Sequence, residues 1–337
     1  MSSRNKVRRT LEFDSPPGIP RHLWLLPWAE SNHPDTVRKL REEYPDDLVH
    51  APDAYRVPLA VEGDPHRKGT YVDEWGCRFT NIQDGVIGIV KEAVLEDWND
   101  LESLVCPEAT LSLDADRINS FCRSTHRFVL AGSRVRPFER LGFLRTMEQA
   151  LMDLLLQPPE LEVLLSRIHR LYLKEVEVWA GTEVDGVCII DDWGTQQGLL
   201  ISPDLWRRIF KPMYRDYAEV ARHHGKYVFM HSDGNIIDII DDLIEIGIHA
   251  LNCQIHCMGV ETLGTRFRGR ITFWGEIDRQ HLLPYGSLMD IRKAVEEVHA
   301  QLYADGGVVA QCEFGPGARP ENVLEVFKAW DDMLEGD

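Results

Sequence analysis

Val187-Cys188-Ile189-Ile190 running directly into Asp191-Asp192-Trp193-Gly194 is the stretch on which the architecture turns. A short run without polar residues is the pattern of a strand buried on both faces, and such strands belong to parallel sheets covered by helices. The polar terminus matters because it recurs. Tyr227-Val228-Phe229-Met230 stops at His231-Ser232-Asp233-Gly234, and Ala250-Leu251 at Asn252-Cys253-Gln254. Ile271-Thr272-Phe273-Trp274 stops at Gly275-Glu276-Ile277-Asp278, and Val308-Val309-Ala310 at Gln311-Cys312-Glu313. Amphipathic helical stretches separate most of these runs, so the strands are expected to be parallel with their carboxyl ends on one face. In a parallel α/β barrel that face carries the active site. The pattern points to an enzyme.

Outward from this core, the 337 residues read as a single domain, since barrels reach this length undivided and no linker interrupts the chain. Residues 1–48 form an expected N-terminal arm, rich in Pro, Arg and Trp, that wraps the barrel irregularly before a short helix from Pro34 to Tyr44. Residues 69–90 alternate polar and apolar positions around Gly76 and Gly85, which predicts a β-hairpin insertion. A further strand is expected at Phe128–Gly132. Leu151 to Trp179 predicts two helices broken at Pro158-Pro159. Ser202-Pro203 predicts a helix start, with Ser202 as cap. Asn235 to Ile246 is a short helix that Gly247 ends, and Leu288–Tyr303 and Pro320–Met333 are the last two.

A net charge of −18 argues against a nucleic-acid or anionic-membrane surface, because phosphate binding needs clustered Lys and Arg. The seven cysteines are dispersed without a C-x-x-C pair, which disfavours a disulfide scaffold and a zinc ribbon alike. No apolar run approaches the roughly 18–20 residues that cross a bilayer, and the basic N-terminus leads into Thr10-Leu11-Glu12-Phe13-Asp14 rather than a signal core. Cytoplasm is the default location.

Of the strand-end clusters, His231-x-Asp233 is the sharpest. Alternation puts positions i and i+2 on one side of a strand, so both side chains can face one point. Imidazole and carboxylate both ligate zinc, and Cys312 would add a thiolate, with Glu276 as fourth ligand or base. The alternative is a His231–Asp233 hydrogen bond with Cys312 as a buried small hydrophobe. At Asp191-Asp192, adjacent carboxylates point in different directions, so one enters the cavity as a proton donor while the other caps a turn or pairs with a base. Trp193, Gln196, Asn252, Gln254 and Trp274 at the strand ends, together with Arg145, are the expected substrate contacts, although tryptophans such as these two are more often packing residues than substrate platforms. Arg134-Val135-Arg136 and Arg145 can fork onto a substrate carboxylate; pairing with surface acids is the bland alternative. Cys253, His256 and Cys257 match no zinc pattern and read as packing.

Taken together, these segments resemble the uroporphyrinogen decarboxylase superfamily. The likeness runs through Gly181–Gly198, Pro203–Asn235, Phe273–Asp278 and Gly306–Val323, and more weakly through Asp73–Cys77 and Phe138–Leu155. It implies a (β/α)8 TIM barrel. The superfamily contains cofactor-free decarboxylases of uroporphyrinogen and zinc-dependent methyltransferases that work with corrinoid proteins or thiols, aryl ether demethylases among them. The decarboxylases carry an arginine-rich arm; the corresponding segment here is Pro20-Arg21-His22-Leu23-Trp24-Leu25-Leu26, with one arginine. The methyltransferases bind zinc through His-x-Cys and a distant Cys, which implies His231 and Cys312 as ligands, with Asp233 departing from the middle cysteine. Oxygen in place of sulfur makes zinc more Lewis acidic, which suits an ether or hydroxyl oxygen.

The expected function is therefore zinc-dependent methyl transfer from a small O-methyl or related donor to a corrinoid protein or thiol, with zinc on His231, Asp233, Cys312 and Glu276. Asp191 or Asp192 protonates or orients the leaving oxygen. The corrinoid is the methyl acceptor and resides on a partner protein. A metal-free decarboxylase using Arg21 with Arg145, and a non-catalytic ligand-binding barrel, are the alternatives.

Overall fold

The computed structural model describes residues 2–334. Its strands are β1 (Arg21–Leu25), β2 (Leu48–His50), β3 (Gly69–Val72), β4 (Arg78–Asn81), β5 (Ile89–Val90), β6 (Phe128–Leu130), β7 (Gly186–Ile190), β8 (Tyr227–Ser232), β9 (Ala250–Cys253), β10 (Thr272–Trp274) and β11 (Val308–Phe314). Eight of them form one sheet in the order β1-β11-β10-β9-β8-β7-β6-β2, with every pairing parallel. With helices around it, this is the expected (β/α)8 barrel. The insertion has three antiparallel strands, β3-β4-β5, one more than a hairpin.

Carboxylates rather than a full ladder join β1 to β2. The Asp47 amide donates to the Arg21 carbonyl at 2.8 Å, the Asp47 carboxylate accepts from the Arg21 amide at 2.9 Å, and Asp46 accepts from the Leu23 amide at 2.7 Å. Lys6 Nζ reaches the same Asp47 oxygen at 2.8 Å. Two acids thus supply acceptors that a neighbouring strand's carbonyls would otherwise provide.

The N-terminal arm corrects the expectation of an irregular wrap. Ser3–Leu11 is a helix capped by Ser2, and its Val7 and Leu11 pack inside the barrel with Leu48, Phe128, Phe229, Ala250 and Val309. The Thr10 carbonyl accepts from Gly307 at 2.9 Å, so the helix plugs the end of the barrel where the strands begin. The chain then enters the sheet as β1. Helices Met147–Leu156 and Pro159–Ala180 flank the proline break as expected, and Ser202 Oγ caps Pro203–His223; Gly247 ends the next helix with φ of +93°, but that helix spans only Ile240–Ile246, its expected first turn from Asn235 being irregular. Among the described residues no helix is long and apolar enough to cross a membrane.

Asp47→Ala removes the acceptor for the Arg21 amide and the partner of Lys6 at the seam. A loss of about 2–4 kcal/mol in urea unfolding is expected; a variant as stable as wild type would show that the seam closes without this carboxylate.

Candidate active site

Strand alternation sorts the side chains at the carboxyl ends into two sets. Trp24, Ile190, Phe229, Trp274 and Val309 pack in the barrel interior, whereas Leu23, Ile189, Met230, Leu251, Phe273 and Cys312 pack between strands and helices. Counting in steps of two, Phe229 leads to His231 and Val309 leads through Gln311 to Glu313 at the mouth of the barrel.

Below the mouth lies an aromatic floor. Trp274 Nε1 and Trp24 Nε1 donate to the same acceptor, His22 Nδ1, at 3.0 and 3.2 Å. Burial pushes the His22 imidazole down to about 3, with His50 adding to the shift, so His22 is a neutral structural acceptor. The Trp24 ring supports His231, their centroids 4.9 Å apart.

Above the floor, His231 is 8% exposed, and its Nδ1 lies 2.6 Å from Asn252 Oδ1. Because the Asn252 amide nitrogen is spent on the Trp274 carbonyl, its oxygen accepts from His231 Nδ1, which orients the ring and turns Nε2 to the mouth. Nε2 faces two carboxylates, Asp192 Oδ1 at 3.4 Å and Asp233 Oδ1 at 3.7 Å. One donor atom from each of Asp192, His231 and Asp233 lies within 4.8 Å of the others.

Two glycines bring these acids together. Gly194 and Gly234 meet backbone to backbone, such that a Cβ on Gly234 would lie 2.2 Å from the Gly194 carbonyl carbon. Gly194 also donates to the Asp233 carbonyl at 3.0 Å, and the Asp233 amide to Asp192 Oδ1 at 2.9 Å. The two strand-end turns are thereby fastened to each other.

Arg279 holds the opposite side. Its guanidinium pairs with Asp233 Oδ2, with Glu313 at 3.0 Å and with Glu276 at 3.5 Å. Burial pushes the Glu276 carboxyl up to about 8, against the pull of Arg279, and raises Glu313 as well. Arg279, Glu313 and Glu139 escaped the sequence reading. Parity counted from Val309 identifies Glu313, but Arg279 follows an irregular turn that carries no periodic signal.

The remaining expectations divide. Of the acid pair, Asp192 faces the mouth, with 41% of its side chain exposed. Asp191 is fully buried and accepts from the amides of Phe138 at 2.9 Å and Glu139 at 2.7 Å and from Tyr214 Oη at 2.5 Å. It is the acid that caps, holding the start of helix Pro137–Arg145, while burial raises its carboxyl to about 7 against those donors. Gln196 and Gln254 are joined at 3.2 Å and line a cavity of about 160 Å³ with Glu276 and Arg279.

Six positions are corrected. Cys312 lies in the helix-facing layer beside its outward register partner Leu23, and its thiol, raised by burial, is outside the donor cluster. Trp193 stacks on Phe138 at 4.0 Å and donates to Tyr214 at 2.8 Å, which makes it wall rather than platform. Asn252 and Trp274 are both enclosed and act on His231 and the floor instead of contacting substrate. Arg145 pairs with Asp153 at 2.8 Å and with the carbonyls of Leu95 and Glu96. Arg21 pairs with Asp331 at 2.7 Å, so the two arginines of the decarboxylase alternative do not converge.

An α/β barrel with convergent acids, a buried histidine and a half-buried arginine at the carboxyl ends of its strands has the makings of an enzyme. Its solved structural relatives include a methyltransferase from Methanosarcina mazei, with a TM-score of 0.72 and 15% identity over 99% of each chain. The 3-keto-D-glucoside 4-epimerase YcjR from E. coli aligns at a TM-score of 0.39 and 13% identity, over 73% of this chain and 95% of that one. No curated protein matches by sequence. The sequence model of uroporphyrinogen decarboxylase (URO-D) matches residues 71–333; the chain belongs to that family.

With its folded carboxyl ionising near 8 and the ordinary value near 4.5, Glu276 contributes stability that is whole below about 4.5 and is lost as pH rises through 8. Metal-free Glu276→Gln should therefore lose less stability than wild type between about pH 5 and 9, by on the order of 2–3 kcal/mol. Parallel pH profiles in chemical unfolding would remove the claim.

Proposed function

We propose that this URO-D family protein is a methyltransferase that takes a methyl group from a small O-methyl compound and passes it to a corrinoid protein or a thiol, using a divalent metal, zinc foremost. The observation that carries the reading is the meeting of one imidazole nitrogen, His231 Nε2, with two carboxylate oxygens at the barrel mouth. A ring nitrogen and two carboxylate oxygens this close are a donor set that would favour a divalent cation among them. The likeness of the barrel to the Methanosarcina mazei methyltransferase across both chains supports the choice of reaction, and the dispersal of Arg21 and Arg145 weighs against the carboxy-lyase alternative.

His231 Nε2, Asp192 Oδ1 and Asp233 Oδ1 are the residues that would hold the metal, a nitrogen and two oxygens that fit zinc without a thiolate. When bound, such an ion supplies Lewis acidity toward an ether or hydroxyl oxygen. The chain's own groups do the rest. Asn252 holds the His231 ring with Nε2 toward the two acids, and Arg279 holds the far oxygen of Asp233 so that the near one stays turned toward His231. Glu276, still protonated near neutrality, faces the smaller cavity and is suited to giving its proton to a departing oxygen.

Calorimetric zinc titration of the metal-free protein tests the assignment. His231→Ala and Asp192→Asn should abolish or strongly weaken binding, Asn252→Ala should weaken it by roughly 10–100-fold, and Cys312→Ser should leave it unchanged. Absence of zinc binding by wild type, or a Cys312→Ser defect as large as that of His231→Ala, overturns it.

A further inference from the structure

Beside the cluster, a cavity of about 360 Å³ opens between the three-stranded insertion and helix Pro137–Arg145. One wall is apolar, built from Tyr71, Phe79, Ile89, Phe143 and Met147, with Phe143 set edge-on to Phe79 at 5.1 Å. The other wall carries Arg134, Arg136, Arg140 and Glu139. Glu139 belongs to both places: its amide is tied to Asp191 at 2.7 Å, and its carboxyl feels the charge of Asp192, so the cavity abuts the turn that carries the candidate ligands.

The three guanidiniums are not equivalent. Arg140 is committed to Asp73 at 2.5 Å and Glu74 at 3.6 Å, and Arg134 to Asp53 at 3.2 Å. Arg136 has only Glu139, at 3.8 Å, too far for a hydrogen bond. Arg134 Nε is also buried without a partner, but among the described residues Arg136 is the cavity arginine whose guanidinium makes no hydrogen bond at all. Glu139 Oε2 is likewise buried without a hydrogen-bond partner.

We propose that this cavity binds a small flat molecule bearing one carboxylate, its ring against Phe79 and Phe143 and its carboxylate on the guanidinium of Arg136. A volume of 360 Å³ accommodates one substituted ring, in the lower range of small-molecule sites. Aromatic side chains meeting edge to face make a slot for a planar group. The guanidinium fork matches a carboxylate, and a second negative charge on the ligand would meet Asp73, Glu74 and Glu139 unpaired. The cavity therefore selects a monoanion over a phosphate or a polycarboxylate. That the bound molecule is also the methyl donor rests on the methyltransferase reading; the binding itself does not.

The test uses 3-methoxybenzoate as probe, with methoxybenzene and cyclohexanecarboxylate as comparisons, titrated into wild type and Arg136→Gln by calorimetry. Wild type should bind 3-methoxybenzoate saturably and each comparison compound at least about tenfold more weakly, since one lacks the charged hydrogen bonds and the other the flat ring. Arg136→Gln should lose at least about tenfold for 3-methoxybenzoate and little for methoxybenzene. Ile89→Asp, on an exposed strand of the insertion, should weaken the probe without unfolding the protein, and an unchanged thermal midpoint checks both variants. No saturable binding by wild type, or equal affinity in Arg136→Gln, overturns the proposal. Zinc titrations on the same samples separate the two readings. Zinc binding without probe binding defeats this inference alone, and probe binding without zinc binding defeats only the metal assignment.

Discussion

Which strand side chains reach the mouth of this barrel follows from the two-residue period of its strands. A residue on a buried parallel strand faces either the barrel axis or the helices, and the choice made at Phe229 or Val309 is inherited by each second residue after it. That constraint delivers His231 to the mouth and denies Cys312 the same position, although both follow apolar runs of similar look. It also explains why chemistry and packing sit one residue apart: Asp191 is consumed by the start of a helix while Asp192 meets the cavity.

Acidic residues carry an unusual share of the architecture. Asp46 and Asp47 stand in for ladder acceptors at the β1–β2 seam, and Asp191 satisfies two amides that helix Pro137–Arg145 leaves unpaired at its start. Asp73 and Asp153 each hold a buried arginine. A surplus of negative charge that looks, in composition, like a solvated surface is thus partly internal scaffolding. The consequence for function is that only a minority of the acids near the mouth are free to act.

Legibility in the sequence followed signal length. The late strands and their helices were readable because apolar runs end in polar clusters and caps sit where capping demands them, as at Ser202 and Gly247. In the first fifty residues only the helix Pro34–Glu43 was. β1 and β2 have five and three residues, interleave polar side chains, and depend on Asp46 and Asp47, whose bonding to β1 lies outside any local pattern. In the site, the His231–Asp233 pairing was visible as an i, i+2 spacing, whereas Asp192 entered as one of two indistinguishable acids. The error at Cys312 came from weighting residue type over parity. Arg145 failed for a related reason, since nothing local distinguishes an arginine bound for Asp153 from one aimed at a ligand.

The contact between Gly194 and Gly234 separates what the site is made of from how wide it is. The spacing between the two acid-bearing turns is set chiefly by main-chain contact, so the side chain at 233 can be exchanged without resizing the gap between them. Donor chemistry can therefore drift, sulfur giving way to oxygen or charge to neutrality, while the bite stays constant. A lineage built on such a joint can explore new metals or new substrates one residue at a time, since no single exchange requires the barrel to be refitted around it.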